Sequence, residues 1–226
     1  MREISAVLQD GLAALSLTLT SAQVKRLLDY LALIQKWSRV YNLTAVREPG
    51  QILTHHLLDS LAVIEPLGRQ LAGLPVEGLM PAAPALARLL DVGSGAGLPG
   101  VVIAICCPAI RVDCVDSVAK KAAFVQQVAG ALGLSNLRGV HARVETLAEK
   151  YDVVSSRAFA SLADFASLSG GVLAKQGIWL AMKGIYPADE VAALPSGVEV
   201  FHVEPLTVPG LDAKRCIVWL RAVAAP

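Results

Sequence analysis

Charge is scarce in this sequence. Only 17% of its 226 residues are charged, and the signs nearly cancel to a formal +1. No global positive field therefore advertises a nucleic-acid binder, and any RNA contact must come from a local patch. Cysteine is sparse as well. Cys106, Cys107, Cys114 and Cys216 show no C-x-x-C spacing and no histidine close in sequence. That pattern argues against a metal site or a disulfide framework and for buried thiols in a reducing compartment. No apolar run reaches the roughly 18 residues of a spanning helix, so no membrane segment is expected. The opening Met1-Arg2-Glu3-Ile4 lacks the basic-then-apolar order of a signal peptide, so the expected location is the cytoplasm.

What the sequence does have is apolar residues, 54% of the chain. Abundant Ala, Val and Leu suit a parallel sheet covered on both faces. The length allows one large domain, or one domain with a small appendage. Residues 1–66 are helical in pattern. Thr20 and Gln23 have capping-box spacing, and Val24, Leu27, Leu28, Leu31, Ile34 and Trp37 follow at helical intervals. The spacing predicts a helix ending near 41–44 and another over about 51–64, together forming a helical cap docked on the later domain. Residues 67–85, with Pro75, Pro81 and Pro84, read as a loop or linker. Residues 86–226 alternate strand and helix. Strands are expected over 86–92, 111–115, 137–141, 152–155, 177–182, 198–203 and 215–221. Helices are expected over 98–107, 118–132, 161–174 and 188–194. The order implies a doubly wound, mostly parallel sheet. The final two strands leave no room for a crossover helix, so that pair is expected to be antiparallel.

The stretch 86–116 is the most informative. An apolar strand, Leu89-Leu90-Asp91-Val92, runs into Gly93-Ser94-Gly95-Ala96-Gly97-Leu98-Pro99-Gly100, then a helix, then a second strand ending in Asp116. This is the first βαβ unit of a nucleotide-binding sheet. Its glycines allow positive φ and close approach of a ligand to the backbone. Pro99 suits a first helical turn, and that turn's N–H groups suit a carboxylate or phosphate. Asp116 is placed to accept hydrogen bonds from both hydroxyls of a ribose, or simply to cap the helix that follows. Gly95, Gly97 and Gly100 also satisfy the dinucleotide pattern G-x-G-x-x-G, so a nicotinamide dinucleotide and S-adenosylmethionine are both possible cofactors. Asp91 just before the turn, and a chain too short for a separate substrate domain, favour S-adenosylmethionine.

Other stretches complete a pattern: Tyr41-Asn42-Leu43-Thr44-Ala45, His56-Leu57-Leu58-Asp59-Ser60-Leu61, Asp116-Ser117 with Lys120-Lys121, Arg143-Val144-Glu145, Ser156-Arg157-Ala158-Phe159-Ala160 and Lys183-Gly184. With the glycine turn, their order from about Gln23 to Leu220 resembles the bacterial 16S ribosomal RNA guanine-N7 methyltransferases, the RsmG (formerly GidB) family. Ser38 departs from a frequent Asn, and residues 74–85 look like an insertion; neither touches the cofactor motif. The resemblance implies a class I S-adenosylmethionine-dependent methyltransferase fold with an N-terminal helical cap. It implies methyl transfer to N7 of a guanine near the decoding site, with 16S ribosomal RNA in the small subunit as partner. It also implies that Gly93 and Leu98 line the cofactor, that Val144 and Glu145 lie along its adenine, and that Arg157 sits at the active-site edge.

The chemistry needs few special groups. Guanine N7 carries a lone pair and no proton, so positioning suffices and no catalytic base is assigned. Consistently, the sequence has no N-P-P-Y-type tetrapeptide and no Pro-Cys nucleophile setting. Arg157 follows the carboxyl end of a buried strand, where ligands gather in open α/β sheets; a surface ion pair is its plainer explanation. Glu145 is otherwise a solvated acid. His56 is either a structural histidine or a substrate contact, and Lys183 either a contact to an RNA phosphate or a solvated lysine. Lys25, Arg26, Lys36, Arg39 and Arg47 form either an RNA-facing patch or a solvated helix face. The expected protein is a monomer without metal. The rivals are a nicotinamide-dependent oxidoreductase and a non-catalytic RNA-binding assembly factor.

Overall fold

The computed structural model describes residues 2–41, 48–72 and 87–223. A seven-stranded sheet runs in the order β3-β2-β1-β4-β5-β7-β6. Its strands are β1 (Arg88–Val92), β2 (Arg111–Asp116), β3 (Leu137–His141), β4 (Tyr151–Arg157), β5 (Leu173–Lys183), β6 (Val198–Leu206) and β7 (Arg215–Ala222). The first five pair in parallel, while β7 lies antiparallel between β5 and β6. The antiparallel final pair is as expected, and β7 inserts it into the sheet beside β5.

Strand alternation divides the interior into two layers. Leu89, Val112, Val153 and Ile178 point to one face, under α6 (Gly100–Cys106), α7 (Ala119–Leu132) and the N-terminal helices. Leu90, Val92, Val154 and Trp179 point to the other, under α8 (Leu162–Ser169).

The N-terminal region contributes α1 (Arg2–Ala14) and α2 (Ser21–Tyr41). The capping box forms: the Gln23 backbone N–H donates to Thr20 Oγ1, and the Thr20 N–H donates to Gln23 Oε1. The other end of the Gln23 amide donates to the carbonyls of Ile105 and Cys106, at the carboxyl end of α6. Arg26 Nε donates to the Leu132 carbonyl at the end of α7. One face of α2 thus satisfies the orphan carbonyls of two other helices. Leu27, Tyr30, Leu31 and Ile34 are buried within the same apolar cluster as Val101 and Phe124.

Several boundaries differ from expectation. The helix over 51–64 is interrupted: α3 (Pro49–Ile52) passes into a π-helical turn, Leu53–Leu58, and then a single α turn, α4 (Asp59–Leu61). A separate helix, α5 (Ile64–Ala72), occupies the start of the expected loop, with Pro66 in its tolerant first turn. The remainder of that loop, with the 74–85 insertion, lies outside the described residues, as do Asn42–Ala45 of the Tyr41–Ala45 motif. Pro99 sits at the cap position, and α6 begins at Gly100. The helix expected over 161–174 ends at Ser169, because Gly170-Gly171 closes it with a 3-10 turn and β5 starts at Leu173. The polar Lys175-Gln176-Gly177 hid the first part of that strand. Cys114 and Cys216 are buried as expected, whereas Cys106 and Cys107, at the end of α6, are half-buried; all four are free thiols.

Candidate active site

The carboxyl ends of β1, β4 and β5 open onto one cavity of about 560 Å³. The glycine turn forms one wall. Gly93, Gly95 and Gly97 all have positive φ, from 58° to 86°. A side chain at Gly100 would meet Cys114 Sγ at 2.5 Å and Asp91 Oδ2 at 3.0 Å, so bare backbone is required where α6 crosses β2. Asp91, fully buried, is the turn's anchor. Its Oδ2 accepts from the Gly100 N–H at 3.0 Å and its Oδ1 from Ser155 Oγ at 2.9 Å. Burial pushes this carboxyl up to about 6, against the opposing pull of those two hydrogen bonds. From beneath, Tyr30 of α2 donates its hydroxyl to the Ala96 carbonyl at 2.6 Å.

Much of the glycine turn's donor capacity is spent on the protein itself, and in the helical turn that follows Gly100 donates to Asp91 and Val101 to the Gly97 carbonyl. Gly93 and Ser94 donate to the Val115 carbonyl, Gly97 and Leu98 to Ser94, and Gly95 to Asp116 Oδ2 at 3.0 Å. Asp116 Oδ1 accepts from Val118 N–H at the start of α7, and Lys121 stands 3.6 Å from Oδ2. Asp116 therefore bonds the N–H of Val118, the residue before α7, and among the described residues no side chain caps the N–H groups of the helix itself. A carboxylate accepts about four hydrogen bonds, so two ribose hydroxyls remain within its capacity.

A smaller cavity of about 180 Å³ lies beyond Gly93, lined by Asp116, Val144, Glu145 and Phe159. Val144 is buried and Glu145 exposed in the 3-10 turn Val144–Thr146. Gly93 borders both cavities, and Phe159 lies across it: a Cβ on Gly93 would meet Phe159 Cδ2 at 2.5 Å. A valine at 93 would thus collide first with Phe159 rather than with a ligand. Ala158, between Arg157 and Phe159, takes φ 53°, a strained setting for alanine at the point where the wall passes from Arg157 in the larger cavity to Phe159 in the smaller.

On the far side of the larger cavity, three segments meet at one carboxylate. Asp59, 3% exposed, accepts from Arg157 Nη1 at 3.0 Å on Oδ2 and from Arg215 Nε at 2.9 Å on Oδ1. Arg157 Nη1 also donates to the His55 carbonyl in the π turn. Two guanidiniums share one acid, leaving the clasp net positive at the cavity wall. His56 lines the same cavity. Its Nδ1 pairs with the His55 carbonyl, and its buried Nε2 has no hydrogen-bond partner among the described residues. Burial and then the Arg157 charge hold its pKa below the ordinary value, so the ring is neutral at pH 7 with a free acceptor nitrogen.

Lys183 is not a solvated lysine. Its ammonium donates to Glu190 at 2.8 Å and to the Ala160 carbonyl at 3.1 Å. Of the basic stripe on α2, Arg26 is spent on α7, Lys25 pairs with Asp29, and Lys36 is exposed. The Arg39 side chain and Arg47 lie outside the described residues. The structure thus brings Gly93, Gly95, Leu98, Arg157, His56 and Lys183 to one cavity and Asp116, Val144 and Glu145 to its neighbour. Asp59, Arg215 and Phe159 belong with them and carry no role in the sequence reading. Asp59 and Phe159 stand inside quoted motifs, which was a signal; Arg215 stands in none. Another concavity, of about 700 Å³, lies at the amino ends of β1–β3, where Arg88, Asp113, Arg138 and Glu149 largely neutralise one another. No expected site residue lines it.

A dinucleotide fold of the 3-2-1-4-5-6 type has no strand inserted between its fifth and sixth; here β7 lies there, antiparallel. Fold and site together define a class I S-adenosylmethionine-dependent methyltransferase. The fold superposes on a SAM dependent methyltransferase from Aquifex aeolicus with a TM-score of 0.54 at 15% identity, over 78% of this chain and 99% of that one. It superposes on TrmN from Thermus thermophilus with a TM-score of 0.53 at 20% identity, over 71% of this chain and 48% of that one. Residues 23–218 match the family described as rRNA small subunit methyltransferase G, and the chain belongs to that family. Ribosomal RNA small subunit methyltransferase G of Albidiferax ferrireducens is 67% identical over 99% of this chain and 100% of its own length. The protein of the same name from Acidovorax sp. is 66% identical over 96% and 95%. This membership removes the oxidoreductase reading. Among the described residues no helix is long and apolar enough to cross a membrane, and no group of three or more His, Cys, Asp or Glu could hold a metal.

Proposed function

We propose that this methyltransferase uses S-adenosylmethionine to methylate N7 of a guanine in 16S ribosomal RNA, near the decoding site of the small subunit. We propose further that it acts as a cytoplasmic monomer without a metal ion. The observation that carries the reading is the pair of cavities meeting at Gly93, one suited to an adenosine and one walled by cations. In the smaller, Val144 and Phe159 offer apolar surface for an adenine, with Glu145 at its rim and Asp116 beside the ribose. Gly95 fits the cradle role: a Cβ there would meet nothing closer than the Gly93 carbonyl at 3.9 Å, so this backbone faces open space. Bound here, the cofactor supplies a sulfonium methyl group that a purine nitrogen lone pair can take directly.

The larger cavity suits the nucleotide. Arg157 and Arg215 supply positive charge for a phosphate or the guanine O6. His56 stands on the substrate side of this cavity with a neutral ring, and its buried Nε2 reaches a guanine N–H only once the ring shifts. No proton leaves N7 during the attack, so the wall needs no base, and Asp59 is already committed to two arginines. Lys183 acts by holding the β5 exit in place. The test incubates the purified protein with labelled S-adenosylmethionine and small subunits from a strain lacking the modification, then maps the label base by base. Label on one guanine N7 is expected. Label on another atom, or none where RNA is bound, overturns the reading; the latter outcome would favour the assembly-factor alternative.

A further inference from the structure

The chain leaves β5 through Met182, Lys183 and Gly184, all on the wall of the larger cavity, and then exposes two large apolar side chains in succession. Ile185 is 74% exposed and Tyr186 49%. Among the described residues, the large apolar side chains that face water are this adjacent pair and the separate Val7, Val118 and Val223. Among the described residues neither side chain belongs to either apolar cluster, and the pair stands next to the cavity wall. The segment is held from both ends. Lys183 is fixed to Glu190 and the Ala160 carbonyl, and the Tyr186 carbonyl accepts from the Ala188 N–H at 3.1 Å as α9 (Ala188–Ala192) begins. Against its other side runs the segment before β7: the Lys214 carbonyl lies 3.9 Å from where a Gly184 Cβ would be, and it accepts from Arg215 Nη1. Lys214 itself is exposed.

We infer that Tyr186, backed by Ile185, is a stacking platform for an unpaired nucleotide of the substrate RNA flanking the target guanine, with Lys214 facing its phosphate. The inference rests on the RNA reading above and adds where the strand runs once it leaves the cavity. The observations that favour RNA are the exposed aromatic ring, its continuity with the nucleotide cavity, and the exposed Lys214 on the neighbouring segment, whose backbone runs alongside Gly184. Target bases are reached in splayed, unpaired RNA, whose neighbours stack on aromatic rings and follow a positive groove.

The test measures methylation of unmodified small subunits by Tyr186→Ala, Tyr186→Phe, Tyr186→Trp, Tyr186→Leu and Lys214→Ala, with S-adenosylmethionine affinity determined separately. Stacking on one side chain is worth enough that Tyr186→Ala should raise the KM for subunits about tenfold or more. Its kcat and cofactor affinity should stay at the wild-type level. Tyr186→Phe and Tyr186→Trp should restore KM and Tyr186→Leu should not. Lys214→Ala should lower the salt slope of KM by about one, which Tyr186→Ala should leave unchanged. A leucine that rescues as well as phenylalanine would mean an apolar contact to a ribosomal protein and would overturn the proposal. A wild-type KM for Tyr186→Ala beside normal wild-type activity overturns it alone, whereas a wild type that transfers no methyl group sinks the parent reading with it.

Discussion

Asp59 shows how one side chain of the wall governs a site through the groups it holds. Its two oxygens hold Arg157 and Arg215 at the cavity wall from a nearly solvent-free position. Removing a buried acid leaves its cations unpaired, at a cost of about 3 kcal/mol or more. Asp59→Ala should therefore lower the denaturant midpoint strongly. Asp59→Asn keeps the shape but offers one acceptor oxygen where two are used, so one guanidinium swings free. In that variant kcat/KM for subunits should fall tenfold or more while cofactor affinity stays near wild type, since misplacing a positioning group is costly. Unchanged kcat/KM in Asp59→Asn would refute the clasp. Asp91 makes the opposite point, because here the protein carries a cost. Its carboxyl rises from an ordinary 3.8 to about 6 through burial. Below pH 4 both folded and unfolded chains hold the proton; between pH 4 and 6 only the folded one does. Stability from this group thus falls as pH rises through that window and is about 3 kcal/mol lower above it. Asp91→Asn carries no such cost. Urea midpoints at pH 4.5 and 7.5 should show the variant gaining on wild type at the higher pH, and a gap that is constant or shrinks would contradict the assignment.

At the scale of elements, α2 works through Gln23, which closes its own helix's capping box with one end of the amide and caps α6 with the other. Gln23→Glu keeps the capping-box acceptor but sets a carboxylate against the Ile105 and Cys106 carbonyls. It should destabilise more than Gln23→Ala, which loses about 1–2 kcal/mol of capping. Thermal midpoints in the reverse order would remove the bridge to α6. The half of Gln23 that was legible in the sequence is the local half, three residues from Thr20. The same holds elsewhere. β1, the glycine turn, α6 and β2 could be read because the pattern that defines them lies within one short stretch, down to Asp116 at the strand end. Their distant supports, Tyr30 under Ala96 and Ser155 on Asp91, could not. The Asp59 clasp could not be read, since it joins residues separated by 98 and 156 positions and only topology brings them together. The π turn over 53–58 was also out of reach, because one extra residue per turn leaves the apolar pattern of a helix almost intact while rotating His55, His56 and Asp59 onto the cavity. Lys183 left two readings open for a related reason: in sequence nothing shows Glu190 folded back onto it, and that ion pair removes the solvated one.

For the whole molecule, the question is whether the N-terminal helices and the sheet melt as one. The order of the sequence suggests a cap added to a domain, but Leu8, Leu27, Tyr30, Ile34 and Leu61 belong to one apolar cluster with Val101, Phe124, Ile178 and Trp219. Tyr30 holds the glycine turn from below, and α2 closes two helices of the sheet layer, so loss of the N-terminal helices would expose the floor of the cofactor site. Such coupling predicts a single cooperative transition. The tryptophans make it measurable, since Trp37 lies on α2 against Phe124 of α7, whereas Trp179 and Trp219 lie in β5 and β7. In a Trp37→Phe variant fluorescence reports only the sheet, while far-ultraviolet dichroism is dominated by the helices. The two curves should coincide, and S-adenosylmethionine at a hundredfold excess over its Kd should shift both together, by about 2.7 kcal/mol of added stability. If the dichroism fell first and the ligand moved only the fluorescence curve, the N-terminal helices would be a separate unit, and their contacts to Ala96, Cys106 and Leu132 would contribute nothing to holding the glycine turn.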